Sequence, residues 1–227
     1  MKIRLESLSP GSAAGTVVVI DVFRAFTTAA VALAGGADSI VIVGDVEEAK
    51  VLRGKGVGHF CVGERGGLRP PGFDFGNSPS ELSRADVAGK TLILTTTNGT
   101  AGILAAKGAS AIYAGALVTA DATAEVIRHE SPDHVTLAAM GREGRSRADE
   151  DELCALYLRS RLQGRRPDRA ALQSLLATMT PPPRSHLVDS GQYDPRDREI
   201  AMDVDRFGFA VRVQKEGEFW VARRHQI

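Results

Sequence analysis

The stretch TVVVIDVFRAFTTAAVALAGGADSIVIVG, residues 16–44, decides the fold of this chain. It opens with a continuous, mostly β-branched run, which is typical of a strand buried on both faces. The alanine-rich residues that follow predict a helix, and Gly35 and Gly36 predict its end. A second apolar run at 39–44 predicts another strand. Strand, helix and strand in this order indicate an α/β fold with helices packed on a sheet.

The same alternation continues as far as residue 141. Further strands are predicted at 59–64, 91–96, 110–115 and 134–141. Helical stretches lie between most of them, and Asp45 is predicted to be the N-cap of the second helix. Short connections between alternating strands and helices predict a largely parallel sheet with helices on both faces.

From residue 142 the pattern changes. Two more helices are predicted, with loops at 164–168 and 180–184. Residues 206–224 alternate apolar and polar side chains around the tripeptide KEG, which predicts a terminal β-hairpin. No linker separates two independent units. The sequence therefore predicts one α/β domain over residues 1–227, with three α/β/α layers, a largely parallel but mixed sheet and a C-terminal β-hairpin.

The composition excludes several classes of protein. Lysine plus arginine and aspartate plus glutamate number 28 each, so the formal net charge is zero. Nucleic-acid surfaces carry an excess of positive charge, so nucleic acid is not an expected partner. No apolar run approaches the ~20 residues of a membrane helix, and the first residues lack the apolar core of a signal peptide. Cys61 and Cys154 form no zinc-binding pattern. We expect a cytoplasmic protein with no membrane partner.

Polar residues are concentrated where the predicted strands end, which is where open α/β sheets bind ligands. These residues are Asp21, Arg24, Thr27, Thr28, Glu64, Arg65, Asp74, Asn77, Ser78, Thr96, Thr97, Asn98, Gly99, Thr100, Arg142 and Asp151. Carboxylates bind hard cations such as Mg²⁺, whereas arginines and helix N-terminal amides bind phosphate or sulfonate oxygens. No histidine occurs in these stretches, which argues against a Ser-His-Asp mechanism. The set indicates a metal-assisted site for a small, multiply anionic substrate.

LTTTNGTAG, residues 94–102, carries more hydroxyl groups than a turn needs. An N-cap and a tight turn account for one threonine and for the Asn98–Gly99 pair, but not for three threonines in a row. Small residues let an anion approach the backbone, and the amides of Gly99 and Thr100 begin a predicted helix. We therefore predict that Thr96–Thr100 holds an oxyanion. This is not a Walker P-loop, since no GK[ST] follows.

Simpler explanations apply to several acidic residues. Asp21 is also placed to accept hydrogen bonds from amides at the start of the next helix. Asp149 is predicted to be an N-cap, and Glu150 and Glu152 are expected to be first-turn acids that favour a helix start. Asp151 is the member of this acidic run that we expect to ligate a metal.

Four stretches together resemble one family: IDVFRAFTTA (20–29), GERGGLRPPGFDFGNSPSE (63–81), LTTTNGTAG (94–102) and EDELCA (150–155). They are similar to the 2-phosphosulfolactate phosphatases of coenzyme M biosynthesis. The resemblance implies an α/β fold, a homodimer and a Mg²⁺-dependent phosphatase that acts on a small phosphorylated sulfonate. On the matching positions, the chemistry predicts Asp21 and Arg24 as catalytic residues. It also predicts Asp21, Glu64 and Asp74 as Mg²⁺ ligands, with Asp151 as an alternative ligand. The remaining residues of the set above are predicted to bind the substrate.

Other functions stay open at this point. A haloacid-dehalogenase-type phosphatase needs Asp-x-Asp after the first strand, and Phe23 stands where the second aspartate belongs. A sensor that binds a phosphorylated metabolite without turnover needs the arginines but not the carboxylates. A phosphatase for a related, non-sulfonated substrate is a further alternative. Within the phosphatase hypothesis, either Asp21 attacks phosphorus or a metal-bound water does; the absence of a second acid favours water.

Overall fold

A computed structural model describes residues 1–11, 14–179 and 185–227, and these residues form one nine-stranded sheet. The predicted loop at 180–184 lies outside the described residues. All the predicted strands are present, together with one that the sequence analysis missed. The strands are β1 (Lys2–Ser7), β2 (Thr16–Ile20), β3 (Ser39–Ile42), β4 (Phe60–Gly63), β5 (Thr91–Thr95), β6 (Ala111–Gly115), β7 (His134–Ala139), β8 (Ala210–Glu216) and β9 (Phe219–His225).

The helices lie between these strands and in the stretch before the hairpin. They are α1 (Ala25–Ala34), α2 (Val46–Gly54), α3 (Pro79–Leu82), α4 (Gly99–Ala105), α5 (Ala120–Glu130), α6 (Asp149–Leu162), α7 (Arg169–Met179), α8 (Ser185–Asp189) and α9 (Pro195–Ala201). Two predicted helix ends are confirmed. Gly35 is the C-cap of α1, and the carboxylate of Asp45 accepts from the first amides of α2. The predicted N-cap of α6 was wrong, since Asp149 is the first residue of this helix and Ala148 is its N-cap.

The missed strand β1 pairs in parallel with β7 at one edge of the sheet. Its sequence, KIRLES, alternates charged and apolar side chains, and Ile3 and Leu5 pack against the core. This two-residue period is the signal that identifies a half-buried edge strand.

The strand order is β1-β7-β2-β6-β8-β9-β3-β5-β4. Neighbours within β1-β7-β2-β6 are parallel, and so are neighbours within β3-β5-β4. The hairpin β8–β9 lies between these two blocks and pairs antiparallel on both sides. The α/β fold with a mixed sheet and a C-terminal hairpin is confirmed. The hairpin is central, however, and three successive antiparallel pairings make the two parallel blocks run in opposite directions.

Helices cover both faces of the sheet. Alternate residues of β2 point to opposite faces: Val17 and Val19 pack with α1 and α4, whereas Val18 and Ile20 pack with α5 and α6. This explains the uninterrupted apolar run of β2, since a strand covered on both sides has no polar face. Helix α1 packs against residues of both parallel blocks. Strands β2, β3 and β5, which belong to the two blocks, therefore share one hydrophobic cluster with α1.

Candidate active site

The carboxyl ends of β2, β4, β5 and β7 meet at one cavity of about 200 Å³. Seven residues that the sequence analysis singled out line this cavity: Asp21, Arg24, Glu64, Asn77, Thr97, Asn98 and Arg142. Asp21 and Thr97 come from the two blocks that run in opposite directions. The structure thus brings together the turn after β2, the loop after β4 and the threonine loop, which is the stretch LTTTNGTAG at residues 94–102.

Asp21 follows β2 directly, and its carboxylate is buried. Oδ1 accepts a hydrogen bond of 3.1 Å from the amide of Ala25 at the start of α1, so the helix-capping explanation also holds. Burial, together with the charges of Glu64 and Glu150, raises the pKa of Asp21 to about 7, although the amides of Ala25 and Gly99 act in the opposite direction. A carboxyl group that changes its charge near neutral pH is suited to proton transfer or to binding a cation.

Arg24 projects into the same cavity from the start of α1, just after a cis Phe23–Arg24 peptide bond. Its Nη1 donates to Oδ2 of Asp197 over 2.6 Å, and its Nη2 lies 3.4 Å from the carbonyl oxygen of Gly67. A guanidinium group has five N–H donors, so donors remain for a ligand.

Glu64 joins two of the loops that border the cavity. Its Oε1 accepts from the amide of Thr97 over 2.6 Å, and its Oε2 accepts from the Thr97 hydroxyl over 3.0 Å and from the amide of Gly67 over 2.6 Å. Three hydrogen bonds to one carboxylate fix its position. Glu64 is therefore a structural link as well as a candidate cation ligand.

The threonine loop uses most of its hydroxyl groups internally. The hydroxyl of Thr96 accepts from the amide of Thr100, while the hydroxyl of Thr100 accepts from the amide of Thr96. Both side chains are buried and neither lines the cavity. Only Thr97 and Asn98 of this loop line the cavity. The side-chain Nδ2 of Asn98 donates to the carbonyl oxygen of Gly141 over 2.8 Å. These two reciprocal hydrogen bonds stabilise the loop itself, so two of the extra threonines have a structural role.

Apart from Asp151, which is described below, five predicted site residues outside the threonine loop do not line the cavity. The guanidinium of Arg65 donates to the carbonyl oxygens of Glu64 and Gly44 and to the hydroxyl of Thr95. Asp74 accepts from the amide of Cys61 over 2.8 Å and pairs with Arg53 over 2.9 Å. Each is thus held by the scaffold, and the structure does not bring Asp74 to the other proposed Mg²⁺ ligands.

The remaining three are Thr27, Thr28 and Ser78. The Thr27 hydroxyl donates to the carbonyl oxygen of Val22, and the Thr28 hydroxyl is buried with no partner among the described residues. Ser78 caps α3 and borders a neighbouring cavity of about 390 Å³. Asn77 lines both cavities.

Two neighbouring acids of α6 are placed differently from what we expected. Asp151 is buried and accepts from the amides of Val22 and Gly141 over 2.8 and 2.9 Å, so it ties the end of β2 to the end of β7. Burial, the charge of Asp21 and the charge of Glu150 raise its pKa. Glu150, which we took for a simple helix-start acid, lines the cavity instead, 3.7 Å from Nη2 of Arg142.

The protein-family comparison supplies the decisive observation. The model of the 2-phosphosulpholactate phosphatase family matches residues 3–193, which include the cavity-lining residues other than Asp197 and Arg198. The chain belongs to the 2-phosphosulpholactate phosphatase family. The resemblance that the four sequence stretches indicated is confirmed.

Relatives of this phosphatase family share the same description. A "probable 2-phosphosulfolactate phosphatase" of Carboxydothermus hydrogenoformans is 41% identical over 73% of this chain and 70% of its own length. Proteins with the same name from Thermus thermophilus and Caldicellulosiruptor saccharolyticus are 40% and 39% identical, over 59% and 62% of this chain. Those two alignments span 56% and 59% of the relatives' lengths.

Some cavity residues of this phosphatase-family chain were not anticipated. Leu187, Tyr193, Asp197 and Arg198 come from the stretch just before the hairpin. Asp197 is buried and begins no recognisable motif, so only its position in the fold reveals it. Tyr193, an aromatic residue in a polar loop, is the one signal in this stretch that sequence reasoning could have used.

Within residues 1–11, 14–179 and 185–227, no three Asp, Glu, His or Cys side chains are arranged to hold a metal ion. Nor does any helix in the described part of the chain have the length and apolarity needed to cross a membrane. Mg²⁺ commonly binds through only one or two carboxylates and keeps several waters. The acids Asp21, Glu64 and Glu150 around one cavity suit that mode of binding.

Proposed function

We propose that this protein is a Mg²⁺-dependent phosphatase that hydrolyses 2-phosphosulfolactate to sulfolactate and phosphate. The observation that carries the proposal is the convergence of Asp21 and Arg24 on one cavity at the strand ends, in a chain of the 2-phosphosulpholactate phosphatase family. The names of the relatives support the same substrate.

The charges around the cavity support a cation. Asp21, Glu64 and Glu150 face a space that is to hold a substrate with a phosphate, a carboxylate and a sulfonate. Without a cation these acids would repel such a substrate. Oε2 of Glu150 is buried and has no hydrogen-bond partner within the described residues, as expected for a ligand position. Asp21 and Glu150, with Glu64 beside them, would hold Mg²⁺, which would supply positive charge for the phosphate oxygens.

Cationic and amide groups of the chain would bind the substrate. Arg24 and Arg142 line the cavity on different loops, so they can neutralise two separate anionic groups. Thr97, Asn98 and Asn77 add uncharged donors. Phosphoryl transfer depends mainly on positioning and on neutralising charge, which is what such a set provides.

In the proposed reaction, the oxygen of a water molecule bonds to phosphorus while the phosphorus–oxygen ester bond breaks. The departing alkoxide of sulfolactate then takes a proton. Direct attack by Asp21 is the competing route, and it predicts an aspartyl phosphate. Acid quench with ³²P-labelled substrate separates the two. We expect no labelled protein; a base-labile adduct that is absent from Asp21→Asn would replace water by Asp21 as the nucleophile.

Release of inorganic phosphate from purified protein tests the function. We expect turnover of 2-phosphosulfolactate with Mg²⁺ and none after chelation, and we expect Asp21→Asn to be inactive in both conditions. Phospholactate and phosphoglycerate serve as competing substrates. Binding without phosphate release would indicate the sensor alternative, and faster turnover of phospholactate would indicate a non-sulfonated substrate.

We also propose that the protein works as a cytoplasmic homodimer, as family membership suggests. The large apolar side chains of Leu175, Met179 and Val188 are exposed and suit an interface between copies of the chain. Light scattering coupled to gel filtration measures the mass in solution; the mass of a single chain would contradict a dimer.

A further inference from the structure

Asp197 lies on α9, outside the four sequence stretches that led to the site and beyond residue 193, where the family match ends. It is separated from Arg24 by 173 positions in the chain, yet the two side chains meet at 2.6 Å beside the cavity. Asp197 is 1% exposed. A carboxylate this deeply buried needs partners that offset its loss of water.

The two oxygens of Asp197 have different partners. Oδ1 accepts from the hydroxyl of Ser78 over 2.7 Å and from the amide of Ser80 over 2.9 Å. Oδ2 accepts from Nη1 of Arg24. Oδ1 therefore joins α9 to the loop before α3, whereas Oδ2 holds the guanidinium of Arg24. The scaffold role and the Arg24 contact are carried by separate atoms.

Arg24 depends on this contact for its position. Its long side chain has many rotamers in solution, and holding it in one of them costs entropy. Besides Asp197, its guanidinium lies near the Gly67 carbonyl oxygen, at 3.4 Å, which is too long for a strong hydrogen bond. The ion pair with Asp197 is short and largely shielded from solvent, so it fixes the guanidinium while leaving other N–H groups for a ligand.

We propose that Asp197 is a positioning residue that holds Arg24 in the geometry needed at the reacting phosphate. The inference rests on the proposed phosphatase function for its kinetic consequence, but not for the contact itself. Asp197 acts through Arg24, and this oxygen links α9 directly to a residue that we place in catalysis.

Asp197→Asn is the informative variant. Its side-chain oxygen can replace Oδ1 toward Ser78 and Ser80, and its NH₂ group then faces the guanidinium, so a donor meets a donor and Arg24 is released. We expect kcat to fall about tenfold or more, as for loss of a preorganised donor. In an Arg24→Ala background the same change should have no further effect on kcat, because the group it positions is gone.

Asp194→Asn is the matched control. Asp194 caps the same helix and accepts from the Ser80 hydroxyl over 2.6 Å, and it also contacts Arg84 and Arg196 rather than Arg24. We expect this variant to lower the melting temperature while kcat stays within about twofold, since asparagine keeps a capping oxygen. Equal proportional losses of kcat from Asp197→Asn in the wild-type and Arg24→Ala backgrounds would overturn the positioning role.

A crystal structure of Asp197→Asn gives a readout that needs no activity. The guanidinium of Arg24 should leave its place in the cavity; finding it unmoved would refute the proposal. If the wild-type protein releases no phosphate, the proposed function fails, but this structural test still decides the role of Asp197. Should Asp197→Asn not fold, Asp197→Glu, which keeps the charge but shifts it by one methylene, is judged by the same structure and the same kinetic cycle.

Discussion

A Cβ atom added to Gly99 would lie 3.0 Å from Oδ2 of Asp21 and 2.6 Å from Cβ of Ala25. The start of α4 is therefore packed tightly against the acid that we place at the centre of catalysis, and a side chain at position 99 would clash with Ala25 and press on Asp21. The threonine loop affects Asp21 through this close packing, in addition to lining the cavity.

Gly99→Ala is expected to destabilise the fold by about 1–3 kcal/mol, as overpacking of a tight core does. It should also lower kcat strongly, because the added methyl group clashes with Ala25 and presses on the carboxylate of Asp21. Urea unfolding and phosphate release measure the two effects. Gly54→Ala is the control: it lies in α2 with nothing within 4 Å of the added Cβ, so it should be neutral or slightly stabilising. Normal stability and turnover of Gly99→Ala would contradict the packing argument.

Asp21→Asn is expected to make the metal-free protein more stable at pH 8, even though it abolishes activity. Burial raises the pKa of Asp21 to about 7, above its ordinary value of 3.8, so the folded state binds this proton more tightly than the unfolded chain. Its contribution to stability is present below about pH 4 and is lost as pH rises toward 7. The gain on substitution should be at most a few kcal/mol at pH 8 and should vanish near pH 4.

Urea unfolding in the presence of chelator at several pH values tests this prediction. Asp45→Asn is the control, because the amides of Glu48 and Glu47 lower the pKa of that exposed N-cap. Its contribution is present above the unfolded pKa and is lost as pH falls, so its removal should not stabilise the protein at pH 8. An Asp21→Asn protein no more stable than wild type at pH 8 would show that the buried charge carries no penalty.

Glu150→Gln and Asp74→Asn should differ in their Mg²⁺ dependence. Glu150 faces the cavity with an unpartnered buried oxygen, whereas Asp74 is engaged by Cys61 and Arg53. We expect Glu150→Gln to raise the Mg²⁺ concentration for half-maximal activity at least ~10-fold, equivalent to ~1.4 kcal/mol of binding. Asp74→Asn should leave it unchanged and lower only the melting temperature. The reverse result would restore Asp74 as a ligand and remove Glu150.

Arg142→Ala and Arg65→Ala should separate substrate binding from stability. Arg142 lines the cavity, so its loss should raise KM for the substrate about tenfold or more. Arg65 donates to two carbonyl oxygens and to Thr95, so its loss should lower the free energy of unfolding by ~1.5–3 kcal/mol with little change in KM. A large rise in KM for a well-folded Arg65→Ala would place its guanidinium on the substrate after all.

Local patterns were sufficient for most of the strands and helices and for much of the candidate site. β-Branched runs, the Asp45 cap and the alternation around KEG predicted strands, a helix start and the hairpin, because each depends on neighbouring residues alone. Asp21, Arg24, Thr97 and Asn98 could be identified because ligands gather where strands end. The resemblance to the phosphatase family added the substrate that the residues themselves do not specify.

Other features depend on contacts between distant parts of the chain, which no local pattern records. Consecutive side chains of a helix point about 100° apart. The orientation of α6 in the fold therefore decides that Glu150 faces the cavity while Asp151 binds the ends of β2 and β7. Asp197 reaches Arg24 only because α9 packs beside α3. The hairpin between the two parallel blocks makes them run in opposite directions, yet residues that follow β2 and β5 line one cavity. The sequence by itself determined which groups are available for the chemistry, and the tertiary packing decided which of them share a site.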